Sequence, residues 1–149
     1  SVLVTSAGEM LRKMSTRDGF ALKTAVDAGF LVCIISGGKN EGVRKRLAGL
    51  GVKEISLGAH DKVVHLNELF EKYQLKAENV VYMGDDIPDI PPMKLVGIPC
   101  CPQDAVPEVK AVSKYISHKN GGAGAARDII EQVLKVQGHW MKEFDAQYD

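Results

Sequence analysis

Three carboxylates crowd the stretch VVYMGDDIPDI, at Asp85, Asp86 and Asp89, directly after an apolar run that closes on Gly84. Like charges held that close raise one another's pKa unless a cation sits among them. Carboxylate oxygens suit Mg2+, a hard ion that keeps several waters and takes only one or two protein carboxylates. Asp85, first beyond the run, is the candidate metal ligand. Asp86 and Asp89 could hydrogen-bond metal-bound waters or hold the loop. Capping of a following helix explains one acid, Asp85 or Asp86, but not two adjacent ones at the end of a buried strand.

Two further residues belong beside this cluster. Ser36 opens SGGKN, where a hydroxyl next to glycines can offer its O–H and nearby backbone N–H groups to a phosphate; the same residues would also serve as a helix cap and flexible turn. Lys62, in GAHDKVV, stands at the start of a helical pattern, where a cation opposes the helix dipole unless an anion compensates. His60 beside it reads as a surface residue. A hydroxyl, an ammonium and a metal carboxylate together are the equipment of phosphoryl transfer: donors for the equatorial oxygens, a cation for the developing charge and a metal to bridge. Ser36, Lys62 and Asp86 are thus the candidate catalytic residues, with Asp89 as the loop support.

These groups must be positioned by something. LVCIIS is a continuous apolar, β-branched run, as expected of a strand covered on both faces, and EISLG and NVVYMG are similar but shorter. Between them DKVVHLNELFEKYQL carries apolar residues at close to a 3.6 period. Upstream, SAGE separates two short strand-like runs, which predicts a hairpin, and Thr16 is placed to cap a helix that Gly29 ends. Downstream come a short helix in DIPPMKLVG, a strand at IPCCP, a helix in AVPEVKAVS, a strand at KYIS and a last helix from about 125 to 137. Strands separated by helices predict an α/β fold: a doubly wound, mostly parallel sheet with a small β-hairpin extension. Ser36, Lys62 and Asp85 then fall at three successive strand ends, where ligands bind in such sheets.

Composition narrows the classes. The 149 residues suit one domain, 45% are apolar and 26% charged, and Lys plus Arg equals Asp plus Glu at 19 each. That balance leaves no overall field to draw nucleic acid or an anionic membrane. No apolar run approaches the ~20 residues of a membrane span, and no signal region opens the chain, so the cytoplasm is the expected location. Cys33, Cys100 and Cys101 do not make a disulfide framework or a zinc spacing; Cys33 is expected to be a small buried thiol.

On these residues the chain resembles the haloacid dehalogenase-like phosphatases. Ser36 matches their second motif, Lys62 their third and GDDIPD their fourth. Within them it resembles the small capless branch that dephosphorylates 3-deoxy-D-manno-octulosonate 8-phosphate, through TRDGFAL, VRKRLAGLGV, YMGDDIPD, GIPCCPQDAVPEVKAVSKYIS and the tail of Gly121, Gly122, Gly124 and Arg127. The resemblance implies a Mg2+ cofactor, a sugar-acid phosphate as substrate, and a homotetramer in which hairpins form a shared barrel. It implies that Arg17, Lys39 and Arg46, with Gly37 of the turn, lie near the sugar acid. It also implies a nucleophile and an acid/base in a D-x-D-G-V stretch on a first strand just upstream of Ser1, so this domain of residues 1–149 is expected to have lost that strand. Gly38 stands where related nonulosonate phosphatases usually carry Glu, which favours the octulosonate. Ala123 stands where the tail commonly has Arg, and Lys39 where Arg is frequent.

Two other readings compete. A response-regulator receiver also sets an acid pair, a hydroxyl and a lysine on a parallel sheet, but its acid pair belongs near the first strand and its lysine near the last. A catalytically inactive phosphatase-like domain kept for oligomerisation would resemble the one appended to animal sialic-acid activating enzymes; its acid motif is typically eroded, whereas Ser36, Lys62 and GDD are all present here.

Overall fold

The computed structural model describes residues 2–140. The chain opens with the expected hairpin, β1 (Leu3–Val4) antiparallel to β2 (Met10–Leu11), with Leu3 opposite Leu11 and Val4 opposite Met10. Its turn is closed by Thr5, which exchanges backbone bonds with Gly8 and Glu9 and accepts the Glu9 N–H on its hydroxyl at 3.1 Å. Helix α1 (Thr16–Asp27) follows. Its cap is Ser15 rather than the expected Thr16, since the Ser15 hydroxyl is the one within reach of the Asp18 N–H. Gly29 ends the helix in the left-handed region, as expected.

The alternating order then runs β3 (Cys33–Ser36), α2 (Glu41–Gly49), β4 (Glu54–Leu57), α3 (Lys62–Tyr73), β5 (Val81–Met83), α4 (Ile90–Met93), β6 (Ile98–Cys101), α5 (Pro107–Val112), β7 (Tyr115–Ile116) and α6 (Ala125–Val136). All pairs after the hairpin are parallel, but they form two sheets: β3 with β4, and β5–β6–β7. Among the described residues the outer edge of β3 and that of β5 are both unpaired. This departs from the single sheet expected. It also explains why β3, read as covered on both faces, is only half-buried along its length. Cys33 is accordingly half-buried and not fully enclosed; burial, then the nearby Glu54 charge, push its thiol up to about 11.

Helices α2 and α3 pack on the first sheet, α4 and α5 on the second, and α1 packs on α6. The best-enclosed core lies under the second sheet, where Met93, Cys101, Ala105 and Val109 meet and Tyr82, Ile90, Val106 and Val112 pack around them. Buried Asp128 anchors α6. It accepts bonds from the Ser117 hydroxyl at 2.7 Å and the Tyr115 phenol at 2.8 Å. Burial works against its charge, but these donors and nearby His118 outweigh it and hold the carboxyl below the usual range. Asp18 of α1 accepts the N–H groups of Gly124 and Arg127, at 3.2 and 2.8 Å, and so satisfies the free amino end of α6. The glycine tail is thereby tied to the helix that follows the hairpin.

Candidate active site

The carboxyl ends of β3 and β5 open onto one cavity of about 640 Å3, lined by Ser36, Gly38, Asn40, Gly84, Asp85, Asp104 and the hairpin residues Arg12 and Lys13, among others. Two turns from different sheets therefore face a common space. The turn after β3 is braced against the turn after β4: Ala59 donates to the Ser36 carbonyl at 2.9 Å and Gly58 to that of Gly38 at 3.0 Å. Ser36 Oγ accepts the Gly38 N–H at 3.2 Å, which orients the hydroxyl and leaves its proton free to donate.

Lys62 begins α3 behind its cap, Asp61, whose carboxylate accepts from the Val63 and Val64 N–H groups. The anion that its position demanded is Asp89. Lys62 Nζ lies 2.6 Å from Asp89 Oδ1, and the two side chains are only 18% and 5% exposed. Tyr82 donates to the same oxygen at 3.1 Å, while the N–H groups of Asp85 and Asp86 reach Oδ2 at 3.1 and 3.4 Å. Four donors on one buried carboxylate lock the loop and the lysine together. Burial, then the Asp89 charge, keep the Tyr82 phenol protonated far above its ordinary range.

Gly84 makes this packing possible. A Cβ there would stand 2.4 Å from the Asp89 Cβ and 2.8 Å from its Cγ, so any side chain would expel Asp89 from the loop. Asp86 caps the 3-10 turn Ile87–Asp89, accepting the Ile87 N–H at 2.8 Å, and is exposed. Of the two tasks open to Asp89, the geometry gives it loop support; for Asp86 the contact is a cap.

Asp85 differs from both. Among the described residues no donor reaches its carboxylate, although its backbone is held on both sides, by Asp89 through its N–H and by Val106 through its carbonyl. Partial removal from water, then the charges of Asp89, Asp86 and Asp104, hold its carboxyl above the usual range against the opposing pull of Lys62. A divalent cation would relieve that cost. Among the described residues no three His, Cys, Asp or Glu side chains are grouped to hold a metal. Asp85 would thus give a single oxygen ligand, which fits an ion that takes one or two protein carboxylates and completes its shell with water or phosphate.

The residues expected near the substrate are spread more widely. Gly37 lies in the turn after Ser36. Lys39 runs across Gly58, its Cε 3.2 Å from where a Cβ would be. Arg46 crosses Gly19 and lines a separate cavity of about 170 Å3 that Arg17 does not line. The cations that do line the larger cavity, Arg12 and Lys13, carried no signal beyond a basic pair after the second hairpin run.

A family model described as haloacid dehalogenase-like hydrolase matches residues 48–129. The chain is 36% identical over 131 residues to the 3-deoxy-D-manno-octulosonate 8-phosphate phosphatase of Salmonella typhi, spanning 88% of this chain and 70% of that one. The crystal structure of the phosphatase of the same description from Yersinia pestis superimposes with a TM-score of 0.92 at 30% identity, covering 95% of this chain and 77% of that one. That from Moraxella catarrhalis, solved with a magnesium ion, a phosphate ion and KDO, gives a TM-score of 0.90 at 30% identity, covering 94% and 80%.

Proposed function

The chain belongs to the haloacid dehalogenase-like hydrolases, and from that premise we propose that it is a Mg2+-dependent phosphatase acting on 3-deoxy-D-manno-octulosonate 8-phosphate. The observation that carries this reading is the facing pair of turns: an oriented hydroxyl at Ser36 and, at Asp85, a carboxylate that no donor among the described residues reaches, both on one cavity, with the half-buried Lys62 ammonium tied to the Asp85 loop through Asp89. Similarity to enzymes of that description from Salmonella typhi and Yersinia pestis supports the substrate, and the magnesium, phosphate and KDO of the Moraxella catarrhalis structure support the pairing of metal, anion and sugar acid.

The roles follow from the chemistry. Ser36 donates its free proton to a phosphoryl oxygen, with the N–H groups of the glycine turn beside it. Lys62 needs one of its three N–H bonds for Asp89, which leaves the others for the phosphoryl charge. Asp85 would hold Mg2+, which would supply charge neutralisation and orientation for the transferring group. Asp86, behind its cap to Ile87, keeps the loop in register. The open edges of β3 and β5 suit one further parallel strand, and the D-x-D stretch implied by the resemblance would place its nucleophilic Asp there, opposite Asp85, to form an aspartyl-phosphate.

The hairpin completes the reading as an assembly surface. Leu3, Val4, Met10 and Leu11 are each at least half exposed, on a two-stranded ribbon that is marginal in water alone. Pairing of hairpins in a homotetramer would cover them, and the cytoplasm is the location proposed for that assembly; separately, no helix among the described residues is long and apolar enough to cross a membrane. The test is phosphate release by the protein with its D-x-D strand in place. Preference for the octulosonate phosphate over carboxylate-free phosphate monoesters, lost in chelator, is expected. Equal turnover of all of them, or turnover indifferent to chelator, would reject the assignment, and a monodisperse monomer by light scattering at micromolar concentration would reject the tetramer.

A further inference from the structure

Arg12 follows β2 and has no part in the phosphate or metal roles. Its guanidinium reaches across the turn after β3. A Cβ on Gly38 would stand 2.8 Å from Arg12 Nη2, 3.3 Å from its Cζ and 3.5 Å from Ser36 Oγ. The cation and the phosphate-binding hydroxyl therefore flank one small space, which exists because residue 38 has no side chain. The hairpin is pinned in this position: Asn40 donates from Nδ2 to the Met10 carbonyl at 3.0 Å while its Oδ1 caps α2 by accepting from Val43 at 3.2 Å.

None of the ion pairs among the described residues involves Arg12. An unpaired arginine on an open surface is ordinary, but this one lines the cavity that holds Ser36 and Asp85. A sugar-acid phosphate brings two anions to that cavity. In the function proposed above, the phosphate would be met by the Ser36 hydroxyl, by Lys62 and by a metal held at Asp85. The carboxylate needs a partner of its own, and none of the three cations expected for it lines this cavity: Lys39 lies over Gly58, Arg46 over Gly19, and Arg17 is exposed and outside both cavities. Of the two hairpin cations on the cavity, Arg12 has the planar fork that matches a carboxylate with two parallel bonds, which Lys13 lacks.

Resting on the function proposed above, we infer that Arg12 is a specificity-determining residue that pairs with the carboxylate of the sugar acid, and that Gly38 is the glycine that lets it reach. Gly38 is not in the left-handed region, so alanine is tolerated by the backbone there and its Cβ meets only the mobile end of Arg12 at under 3 Å. Gly38→Ala therefore displaces the guanidinium without unfolding the turn.

The experiment titrates the protein with two probes in the presence of Mg2+: the phosphate-free sugar acid 3-deoxy-D-manno-octulosonate, and inorganic phosphate. Arg12→Gln is expected to weaken the sugar acid roughly 10- to 100-fold, the worth of a charge-assisted hydrogen bond, and to leave phosphate unchanged. Gly38→Ala is expected to weaken the sugar acid in the same sense, and to add little in the Arg12→Gln background, because both changes remove one interaction. Equal weakening of phosphate would make Arg12 a phosphate ligand and overturn the inference, as would undiminished sugar-acid binding by Arg12→Gln. A parent protein that binds phosphate but no sugar acid would overturn the substrate reading and the inference with it, a result distinct from a parent that binds both and a variant that loses neither.

Discussion

The turn after β5 and the turn after β3 face the same cavity but are built in opposite ways. In the first, Asp89 is buried under four donors, Gly84 admits it at a distance no side chain would allow, and Asp85 is the one of the three loop carboxylates that no donor among the described residues reaches. In the second, backbone bonds set the path, Gly38 leaves room that the Arg12 guanidinium occupies, and the cations on the cavity come from outside the turn, from Arg12 and Lys13 of the hairpin. The difference separates two tasks. Phosphoryl chemistry is common to every substrate and rewards a rigid, preorganised arrangement of charge. Recognition of a particular sugar acid can rest on long side chains of a surface ribbon, which a second subunit can also supply.

The largest effect expected from breaking the rigid side is at Asp85. Asp85→Asn should cut Mg2+-dependent turnover by roughly 10^3-fold or more, because a bound metal contributes several kcal/mol of transition-state stabilisation. It should also raise the melting temperature measured without Mg2+. The folded protein holds this carboxyl above its ordinary pKa, so its ionisation at neutral pH weakens the fold, and removing the charge restores that stability by a small amount, because Asp85 is exposed and water screens much of the effect. A drop in melting temperature would show that Asp85 has a structural partner, and the contrast between the turns would fail.

Lys62→Ala comes next. Turnover should fall roughly 10^2-fold, the usual loss for a transition-state charge stabiliser. Stability should fall by about 1–3 kcal/mol, since Asp89 keeps three of its donors but loses its counter-charge. Adding Asp89→Asn should return part of the stability and none of the activity, as read by denaturant titration beside the assay. Recovery of both together would make Lys62 a purely structural residue. Ser36→Ala should cost less, about tenfold, because backbone N–H groups remain at that turn.

Asp128 is the control away from the cavity. Its carboxyl lies below the usual range, so its contribution is present above the unfolded value near 4 and is lost as pH falls through the lower folded value. Asp128→Asn should therefore cost about 1–2 kcal/mol at pH 7, with the gap from the parent closing below about pH 4, and should leave turnover intact. A tenfold loss of turnover at constant fold would link α6 to the chemistry and blur the division.

What could be read from the sequence follows the same division. The strand ends at Ser36 and Asp85 were legible because apolar runs stop there, and Lys62 because a cation at a helix start calls for an anion. That its partner is Asp89, 27 residues away, was not legible, because it depends on how the ends of α3 and β5 meet across two separate sheets. The need for glycine at 84 was invisible for the same reason, as it is set by Asp89 folding back. Ser15 and Thr16 both offer a capping hydroxyl, and only the backbone path chooses between them. Nothing in the sequence marks out Arg12, because its reach over Gly38 depends on the side chain of Asn40, the cap of α2, pinning a hairpin 30 residues upstream.

In the function proposed above, these two turns would form the phosphate and metal half of a phosphatase whose nucleophile is carried by a further strand at the open edges of β3 and β5. The most direct measurement compares phosphate release from 3-deoxy-D-manno-octulosonate 8-phosphate, with Mg2+, by residues 1–149 as written, by the same polypeptide with a D-x-D-bearing strand joined before Ser1, and by that extended form with the first Asp of the stretch changed to Asn. Turnover by the extended form alone is expected, together with a rise in stability from pairing the open edges. Robust turnover by residues 1–149 as written, or by the Asn form, would place the nucleophile elsewhere and contradict the mechanism.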